Sequence, residues 1–356
     1  MKVLVINFNS GSAGPRIANE LVKSLNDGGN LAGFIRSSQA DAGLPKGIDE
    51  KLIISLKTLR GKLGFIRRVL SIYSLLKQVG RVYSEVLPDT VMFPMQQALD
   101  PFVLPYVRRI SRKNNCRVVV WIHDFQAHPG DFRFLDKILK LVAFKNATHL
   151  VALSQGVADK LQCIVKLPVI RLTLPLAIRT HSSNSIDKEG VINLLFFGRM
   201  RKYKGIKRLA SVWNNYLVND TSWRLTIAGQ GSEKLIRKFF SEGPRCELIL
   251  RYLTDEEIDG LFSDSTIILL PYDEASQSGV INQALEYGKP YVVTPIPGLV
   301  NQLHKLGGGI AASDMSPEAF VNAINDSLKT HSAPGKSDFL EYGWGNQVQQ
   351  LLNKLI

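Results

Sequence analysis

Residues 269–295 read LLPYDEASQSGVINQALEYGKPYVVTP and decide the fold class. An apolar run predicts a buried strand, a polar loop follows it, and a helical pattern begins near Ser278 and Gly279. Gly288-Lys289-Pro290 ends this helix, and the β-branched run at 290–294 predicts another strand. This order is typical of parallel sheets in α/β proteins, and it leaves the N–H groups of a helix N-terminus facing an anion site.

The same alternation of short apolar runs and helical patterns extends along the whole chain. It predicts two Rossmann-like βαβ domains, without internal repeats, joined by the polar segment 179–190, RTHSSNSIDKEG. The N-terminal domain spans 1–178 and the C-terminal domain 191–337, and a helix within 338–356 is expected to return to the N-terminal domain. Predicted strands are 2–8, 31–35, 90–94, 117–122, 148–153 and 168–172 in the first half, and 191–197, 223–228, 246–250, 265–270 and 290–294 in the second.

Composition and charge narrow the function classes. The 356 residues are 45% hydrophobic and 21% charged, which is typical of a globular protein. Three widely spaced cysteines (Cys116, Cys163 and Cys246) in apolar surroundings predict reduced core residues. The net charge is +13, and residues 1–178 hold 25 basic and 12 acidic side chains, against 19 of each in the second half. An anionic partner is therefore expected to meet the N-terminal half.

Residues 51–81 contain eight basic residues and no acid, with apolar residues at helical spacing from about residue 59. A basic amphipathic helix of this kind can lie on an anionic membrane surface, although an ordinary surface helix has the same pattern. Predicted membrane or acceptor contacts are Arg60, Lys62, Arg67, Arg68, Arg108 and Arg109. A nucleic-acid-binding protein is disfavoured, because the basic clusters lack interleaved aromatic residues and no nucleic-acid-binding motif is present.

Glycine-rich turns follow several predicted strands. The turn at 7–15, with Gly11 and Gly14, precedes a helical pattern and can place backbone N–H groups against a phosphate, although a purely structural turn fits equally well. The spacing is not the dinucleotide G-x-G-x-x-G pattern, which disfavours a nicotinamide-dependent oxidoreductase. In FFGRMRKYKG (196–205), Arg199 and Lys204 follow a buried strand and suit a diphosphate. AGQGS (228–232) forms a third such turn, in which Ser232 can cap the next helix.

Taken in order, FFGRMRKYKG, LTIAGQGS, the segment 269–295 and GLVNQL resemble the C-terminal domain of family 4 retaining glycosyltransferases of the GT-B fold. VVVWIHDF and ATHLVALSQGVADKL resemble the N-terminal domain of that family. The resemblance spans nearly the whole chain and is more specific in the second half. It implies two domains facing across a cleft, with a nucleotide-sugar held mainly by the C-terminal domain.

The resemblance also implies roles for individual residues. Arg199 and Lys204 would bind the diphosphate and stabilise the leaving nucleotide without a metal or cofactor, assisted by the amides of Ser278 and Gly279. His123, at a strand end and beside Asp124, would contact the transferred sugar. The remaining predicted nucleotide-sugar contacts are Gly11, Gly14, Gly198, Gly229, Val280 and Gln283.

One departure from the family pattern concerns its Glu-x7-Glu motif. Ala275 and Gln283 stand at the two glutamate positions, whereas Glu274 lies one residue earlier and is a predicted catalytic residue. An amide still binds ribose hydroxyls, because it both donates and accepts hydrogen bonds. The predicted function is sugar transfer with retention to a glycan or lipid-diphosphate-linked acceptor, in bacterial-type surface polysaccharide assembly, by a cytoplasmic protein peripheral to the inner membrane face. A non-catalytic nucleotide-sugar-binding or partner-binding protein of the same fold is the alternative.

Overall fold

The computed structural model describes residues 1–9, 13–37, 53–56, 65–125, 133–176, 190–330 and 340–356. The chain divides into two compact units. The first contains Met1–Ala127, Asp131–Thr173 and Trp344–Ile356, and the second contains Leu174–Gly343. Each unit is an α/β layer structure with its own parallel sheet and its own buried hydrophobic cluster.

The first unit is built on a seven-stranded parallel sheet in the order β3-β2-β1-β4-β5-β6-β7. Val118–Ile122, in an interior strand of this sheet, is completely buried, as expected of a parallel strand covered on both faces. The strands are β1 (Lys2–Asn7), β2 (Leu31–Ser37), β3 (Ile53–Leu56), β4 (Thr90–Phe93), β5 (Arg117–Ile122), β6 (His149–Ala152) and β7 (Val169–Arg171). The helices are α1 (Ala13–Asp27), α2 (Phe65–Val86), α3 (Asp100–Ser111), α4 (Arg133–Asn146), α5 (Gln155–Ile164) and, near the C-terminus, α12 (Trp344–Leu355).

The second unit is built on a six-stranded parallel sheet in the order β10-β9-β8-β11-β12-β13. Its strands are β8 (Ile192–Phe197), β9 (Trp223–Ala228), β10 (Cys246–Ile249), β11 (Ile267–Leu270), β12 (Tyr291–Val293) and β13 (Gly309–Ala311). Its helices are α6 (Ile206–Val212), α7 (Glu233–Arg237), α8 (Asp255–Asp264), α9 (Gly279–Glu286), α10 (Pro297–Leu306) and α11 (Pro317–Thr330), and a π-helical turn, Trp213–Leu217, continues α6. The two Rossmann-like sheets confirm the predicted fold class.

All eleven predicted strands are present, with ends that differ by at most two residues. Two strands were missed, β3 and β13, each at the edge of its sheet. β3 has four residues and β13 has three, Gly309-Ile310-Ala311. Runs this short carry too little apolar periodicity to stand out in a sequence, and they become strands because an exposed neighbouring strand accepts them.

The end of the first unit differs from the predicted boundary at residue 178. Leu174 and Pro175 belong to the second unit, because their carbonyl oxygens accept hydrogen bonds from Asn282 Nδ2 at 2.9 and 3.1 Å. α12 belongs to the first unit, where Trp344 stacks on Trp121 at 6.3 Å between ring centroids and the Gln347 side chain accepts a hydrogen bond from the Thr173 N–H. The predicted linker, apart from Gly190, lies outside the described residues.

The three cysteines are free thiols, but the expectation that all are core residues was wrong for one of them. Cys116 and Cys246 are buried, whereas Cys163 is exposed on α5. Its apolar neighbours in the sequence, Leu161 and Ile164, lie on different faces of this helix, one buried and one exposed. Among the helices that the structure describes, none is long and apolar enough to cross a membrane.

Candidate nucleotide-diphosphate site

The second sheet has its topological switch point between β8 and β11. From β8 the chain moves outward through β9 to β10, and then returns to the other side of β8 as β11. In open parallel sheets, ligands bind at such a switch point, beyond the carboxyl ends of the strands. β8 ends at Phe197 and β11 ends at Leu270, so the FFGRMRKYKG and LLPYDEASQSG loops both start at this edge.

Three glycines let these loops approach one another more closely than side chains permit. Gly198 and Gly229 have φ angles of 113° and 138°, and a Cβ on Gly229 would lie 2.1 Å from the Gly198 carbonyl oxygen. Gly205 has a φ of 72°, and its Cβ would lie 1.6 Å from the Pro271 carbonyl oxygen. Glycine is required at these positions because L-residues rarely adopt such φ angles and backbone occupies the space of the side chain.

Lys204 is held inside this edge of the sheet, at only 7% exposure. Its ammonium donates a hydrogen bond to the Tyr272 hydroxyl at 2.8 Å and lies 3.5 Å from the Phe197 carbonyl oxygen. Burial, together with the positive charge of Arg199, lowers the pKa of Lys204 to about 8. No carboxylate pairs with this ammonium in the described part of the chain, so the site holds a desolvated cation that an incoming anion can pair with.

Gly198 keeps this cation accessible. A Cβ at Gly198 would lie 2.7 Å from Lys204 Nζ and 3.7 Å from Cγ2 of Val280, in the first turn of α9. The ammonium, the Gly198 backbone and the start of α9 are therefore neighbours. A phosphate placed here meets a cation, a glycine backbone and the positive end of a helix, which is the usual composition of a phosphate site.

The N-terminus of α9 is organised by a buried hydrogen-bond network around Gln302 of α10. The Gln302 side chain accepts from the Ser278 N–H at 2.8 Å and donates to the Ser278 carbonyl at 3.0 Å and to Asn282 Oδ1 at 2.8 Å. The Ser278 hydroxyl caps the helix by accepting from the Val280 N–H. The Ser278 amide, which was predicted to face the diphosphate, donates to Gln302 in this structure. Gly279, exposed at the first residue of α9, keeps its place at the helix end.

The remaining predicted residues of this unit lie along the same two loops. Arg199 is exposed directly after Gly198, and Glu274 is exposed with its N–H 3.4 Å from the Tyr203 carbonyl oxygen. Gln283 is half-buried in the middle of α9. Ser232 caps α7, as predicted, by accepting from the Leu235 N–H.

The first unit has its own switch point, between β1 and β4, and buried polar side chains collect there. Gln97 Nε2 donates to the Ile6 carbonyl at 3.2 Å, and the Gln97 N–H donates to Asp100 Oδ2 at 2.9 Å. Burial raises the pKa of Asp100 to about 8. The side-chain amide of Asn7 is also buried, and among the described residues it has no hydrogen-bond partner.

His123 follows β5 at this edge of the first sheet. Its Nε2 lies 2.8 Å from the Pro94 carbonyl oxygen, which can only accept, so Nε2 carries the proton and Nδ1 is left as the acceptor. Burial lowers the pKa of His123, against the opposing effects of this hydrogen bond and of Asp124. A neutral imidazole with an acceptor nitrogen suits a contact with a sugar hydroxyl.

Other predicted contacts are only partly described. Gly14 is buried in the first turn of α1, where a Cβ would lie 3.0 Å from two side-chain atoms of Asn9. Gly11, Arg60 and Lys62 lie outside the described residues, and α2 contains Arg67 and Arg68 without a description of their side chains. Arg108 is half-buried in the last turn of α3, whereas Arg109 is exposed there.

Three residues important to the geometry were missed by the sequence interpretation: Tyr272, Arg208 and Gln302. Tyr272 accepts from Lys204, and Arg208 donates to the Pro271 carbonyl and to Asp273 Oδ1, both at 2.8 Å. Gln302 stands in the GLVNQL segment. Tyr272 and Gln302 lie in two of the motifs that carry the resemblance, but only the fold shows which atoms they contact.

A protein-family model matches most of the second unit, including the residues of this candidate site. Residues 192–330 match the family model described as Glycosyl transferases group 1. Over these residues the second unit is similar to that family. The switch-point loops and α9 all lie inside the matched residues, so the site belongs to this region of similarity. A comparison with curated protein sequences finds no match.

Solved structures share the fold of the whole chain. Anabaena Alr3699/HepE in complex with UDP and glucose has a TM-score of 0.72 at 14% identity, with 100% of this chain and 99% of that chain covered. The catalytic domain of starch synthase IV from Arabidopsis thaliana, bound to ADP and acarbose, has a TM-score of 0.71 at 13% identity, with 99% of this chain and 98% of that chain covered. Sucrose-phosphate synthase from Thermosynechococcus elongatus has a TM-score of 0.69 at 12% identity, with the same two coverages. The chain therefore has the GT-B fold.

Proposed function

We propose that this protein transfers a sugar from a nucleotide-diphosphate sugar to a glycan or lipid-linked acceptor, with retention at the anomeric carbon. The observation that carries the proposal is the buried Lys204 ammonium at the switch point of the second unit, beside the glycine backbone of Gly198 and the start of α9. Structural neighbours described with UDP, UDP-glucose or ADP support a nucleotide-linked donor.

The proposed chemistry is stabilisation of the leaving nucleoside diphosphate. Negative charge grows on the β-phosphate as the sugar departs, and cations already in place lower the free energy of that transition state. Lys204 is fixed by Tyr272, and the exposed guanidinium of Arg199 can reach a second phosphate oxygen. We propose that these two charges act without a metal, that Gln283 binds the donor sugar or ribose, and that His123 contacts the transferred sugar.

The acceptor is proposed to be an anionic lipid-diphosphate-linked glycan, received by the first unit at the inner face of a cell membrane. Besides its positive charge, this unit exposes apolar side chains on α4, where Phe134 is 79% and Leu141 is 51% exposed. Phe134, Leu141 and Lys145 recur at helical spacing, and Lys137 lies beside this stripe. Apolar side chains flanked by lysines are typical of helices that lie on anionic lipid surfaces. This supports a role in surface polysaccharide assembly.

A thermal-shift titration with UDP, GDP, ADP and TDP tests the donor proposal. A nucleotide that binds only the folded protein raises its melting temperature. We expect one of the four to do so, with a shift lost in Lys204→Gln and kept in Lys202→Gln, whose side chain is exposed in the same short turn. If none of the four shifts the melting temperature, the proposal is wrong.

A non-catalytic protein of the same fold remains the second candidate, favoured by Ala275 and Gln283 at the two glutamate positions. Nucleotide release from nucleotide-sugars distinguishes the two. Release or transfer that depends on Lys204 supports the enzyme, whereas tight donor binding without any release, in the presence of membrane extracts as acceptor, supports the binding protein.

A further inference from the structure

A basic cavity lies in the first unit, at the edge of the sheet where the strands begin. Its volume is about 320 Å³, at the lower end of the range of small-molecule sites. Arg117 and Thr148–His149 contribute from the starts of β5 and β6, and Arg108 and Arg112 contribute from the end of α3. Within this unit the cavity therefore lies at the opposite edge of the sheet from His123, which follows the carboxyl end of β5.

Among the described residues, no acidic side chain neutralises the positive charge around this cavity. None of the three guanidinium groups forms an ion pair or a side-chain hydrogen bond with any described residue, and no acidic residue lines the cavity. Asp89, which acts on the pKa of the nearby Cys116, directs Oδ2 to the Lys2 N–H at 2.8 Å. Three arginines around one cavity repel each other, so an anion bound there lowers the electrostatic energy.

His149 adds an imidazole ring to the three guanidinium groups. Its Nδ1 lies 2.9 Å from the Thr148 hydroxyl, whose oxygen also lies 3.1 Å from the Val118 carbonyl. These contacts orient the ring and leave Nε2 for a ligand. Burial and the positive charge of Arg117 lower the pKa of His149, so the ring experiences the positive potential of the cavity.

The C-terminus of α3 provides an alternative reason for some of these charges, since cations are favourable at helix C-termini. The helix end explains Arg108 and Arg109, which both lie in the last turn. It does not explain Arg117 or His149, because these residues belong to strands. Arg109 does not line the cavity. The helix end therefore accounts for basic residues on α3 but not for their convergence with residues of two strands.

We propose that this cavity binds a phosphate group, as a phosphate monoester or diester. Guanidinium groups match phosphate oxygens in pairs, and a protonated imidazole adds one more donor at Nε2. The site is separate from the nucleotide-diphosphate site of the second unit and does not depend on it. The phosphate comes either from a soluble phosphorylated molecule or from a phospholipid headgroup.

Titration of the wild-type protein with inorganic phosphate and with glycerol 3-phosphate, followed by NMR of the histidine rings, tests the proposal. We expect saturable shifts of the His149 signal, assigned by its loss in His149→Gln, and a rise in the pKa of His149. The double variant Arg108→Gln/Arg117→Gln is expected to weaken binding at least tenfold. Arg109→Gln, which removes the same charge from the neighbouring position on α3, is expected to change affinity less than twofold.

Vesicle binding then identifies the source of the phosphate. Arg108-dependent binding to phosphatidylglycerol vesicles that glycerol 3-phosphate displaces assigns a lipid headgroup. If the protein binds phosphate in solution but its binding to vesicles does not depend on Arg108, the ligand is a soluble phosphorylated molecule. The proposal is overturned if neither phosphate shifts His149, or if Arg109→Gln weakens binding as much as the double variant Arg108→Gln/Arg117→Gln. An unchanged thermal shift with nucleotides in these variants shows that the other site is intact.

Discussion

Lys204 shows how burial makes a common side chain suitable for a specific task. An ammonium in water interacts weakly with a phosphate because solvent screens both charges. Lys204 has lost most of its solvent, and its hydrogen-bond partners among the described residues are the neutral Tyr272 hydroxyl and Phe197 carbonyl. The cost of this desolvation lowers its pKa to about 8, and a bound diphosphate recovers that cost.

The affinity for nucleoside diphosphate should therefore fall as pH rises through about 8. Above this pH the free protein holds Lys204 as a neutral amine, so binding must take up a proton and becomes weaker with each further pH unit. Calorimetry in buffers of different ionisation enthalpy measures this proton uptake directly. We expect it near pH 8.5 and not near pH 6.5. Lys202→Gln should leave the uptake unchanged, and an affinity that is flat between pH 7 and 10 would contradict the assignment.

At the scale of the element, Gly205 determines where α6 begins relative to β11. Gly205→Ala places a Cβ 1.6 Å from the Pro271 carbonyl oxygen at a φ of 72°, so we expect a loss of at least about 2 kcal/mol in the free energy of unfolding. Gly260→Ala is the matched control, since its Cβ meets nothing within 4 Å in the exposed part of α8. It should stabilise the protein by about 0.5–1 kcal/mol. Urea denaturation of both variants measures the contrast, and equal effects would refute it.

The N-terminus of α9 depends on a side chain of another helix. Gln302→Ala removes the partner of the Ser278 N–H and carbonyl and leaves these groups buried, at a cost of about 2–4 kcal/mol. Nucleotide affinity should fall as well, because α9 then loses its fixed start beside Gly198. Asn301→Ala, exposed one position earlier on α10, should alter neither quantity. Wild-type melting of Gln302→Ala would show that the network does not hold the helix.

At the scale of the whole molecule, the last helix completes the unit in which the chain begins. α12 buries Trp344, Val348, Leu351, Leu352 and Leu355 in the first unit. Removing residues 344–356 should destabilise that unit by about 5 kcal/mol or more, since each buried apolar side chain contributes about 1.5–3 kcal/mol. Hydrogen exchange is expected to accelerate in β1 and β5 and to stay unchanged in β8 and β11. Equal acceleration in both sheets would contradict the division into units.

Much of this architecture was predictable because parallel strands buried on both faces leave a strong apolar signal. Val118–Ile122 and Ile267–Leu270 are examples, and both were found at or near their true ends. The edge strands β3 and β13 were not predictable, because short strands depend on a neighbour for their definition. In the site, the glycines and Lys204 were marked by their place between a strand and a helix. Gln302 carried no local signal, since its partners lie 20 and 24 residues away.

The sequence by itself determined the α/β class, the two sheets and the loops that carry the candidate chemistry, because hydrophobic periodicity and turn residues act over short distances. The segment 269–295 contains a strand, a helix cap and another strand in that order. Only the tertiary structure decided which polar atoms meet. In the folded chain the Ser278 N–H donates to Gln302, and the Lys204 ammonium is buried against Tyr272. Arg108 lines the basic cavity, whereas its neighbour Arg109 does not. These pairings join elements distant along the chain, and spacing in the sequence carries no record of them.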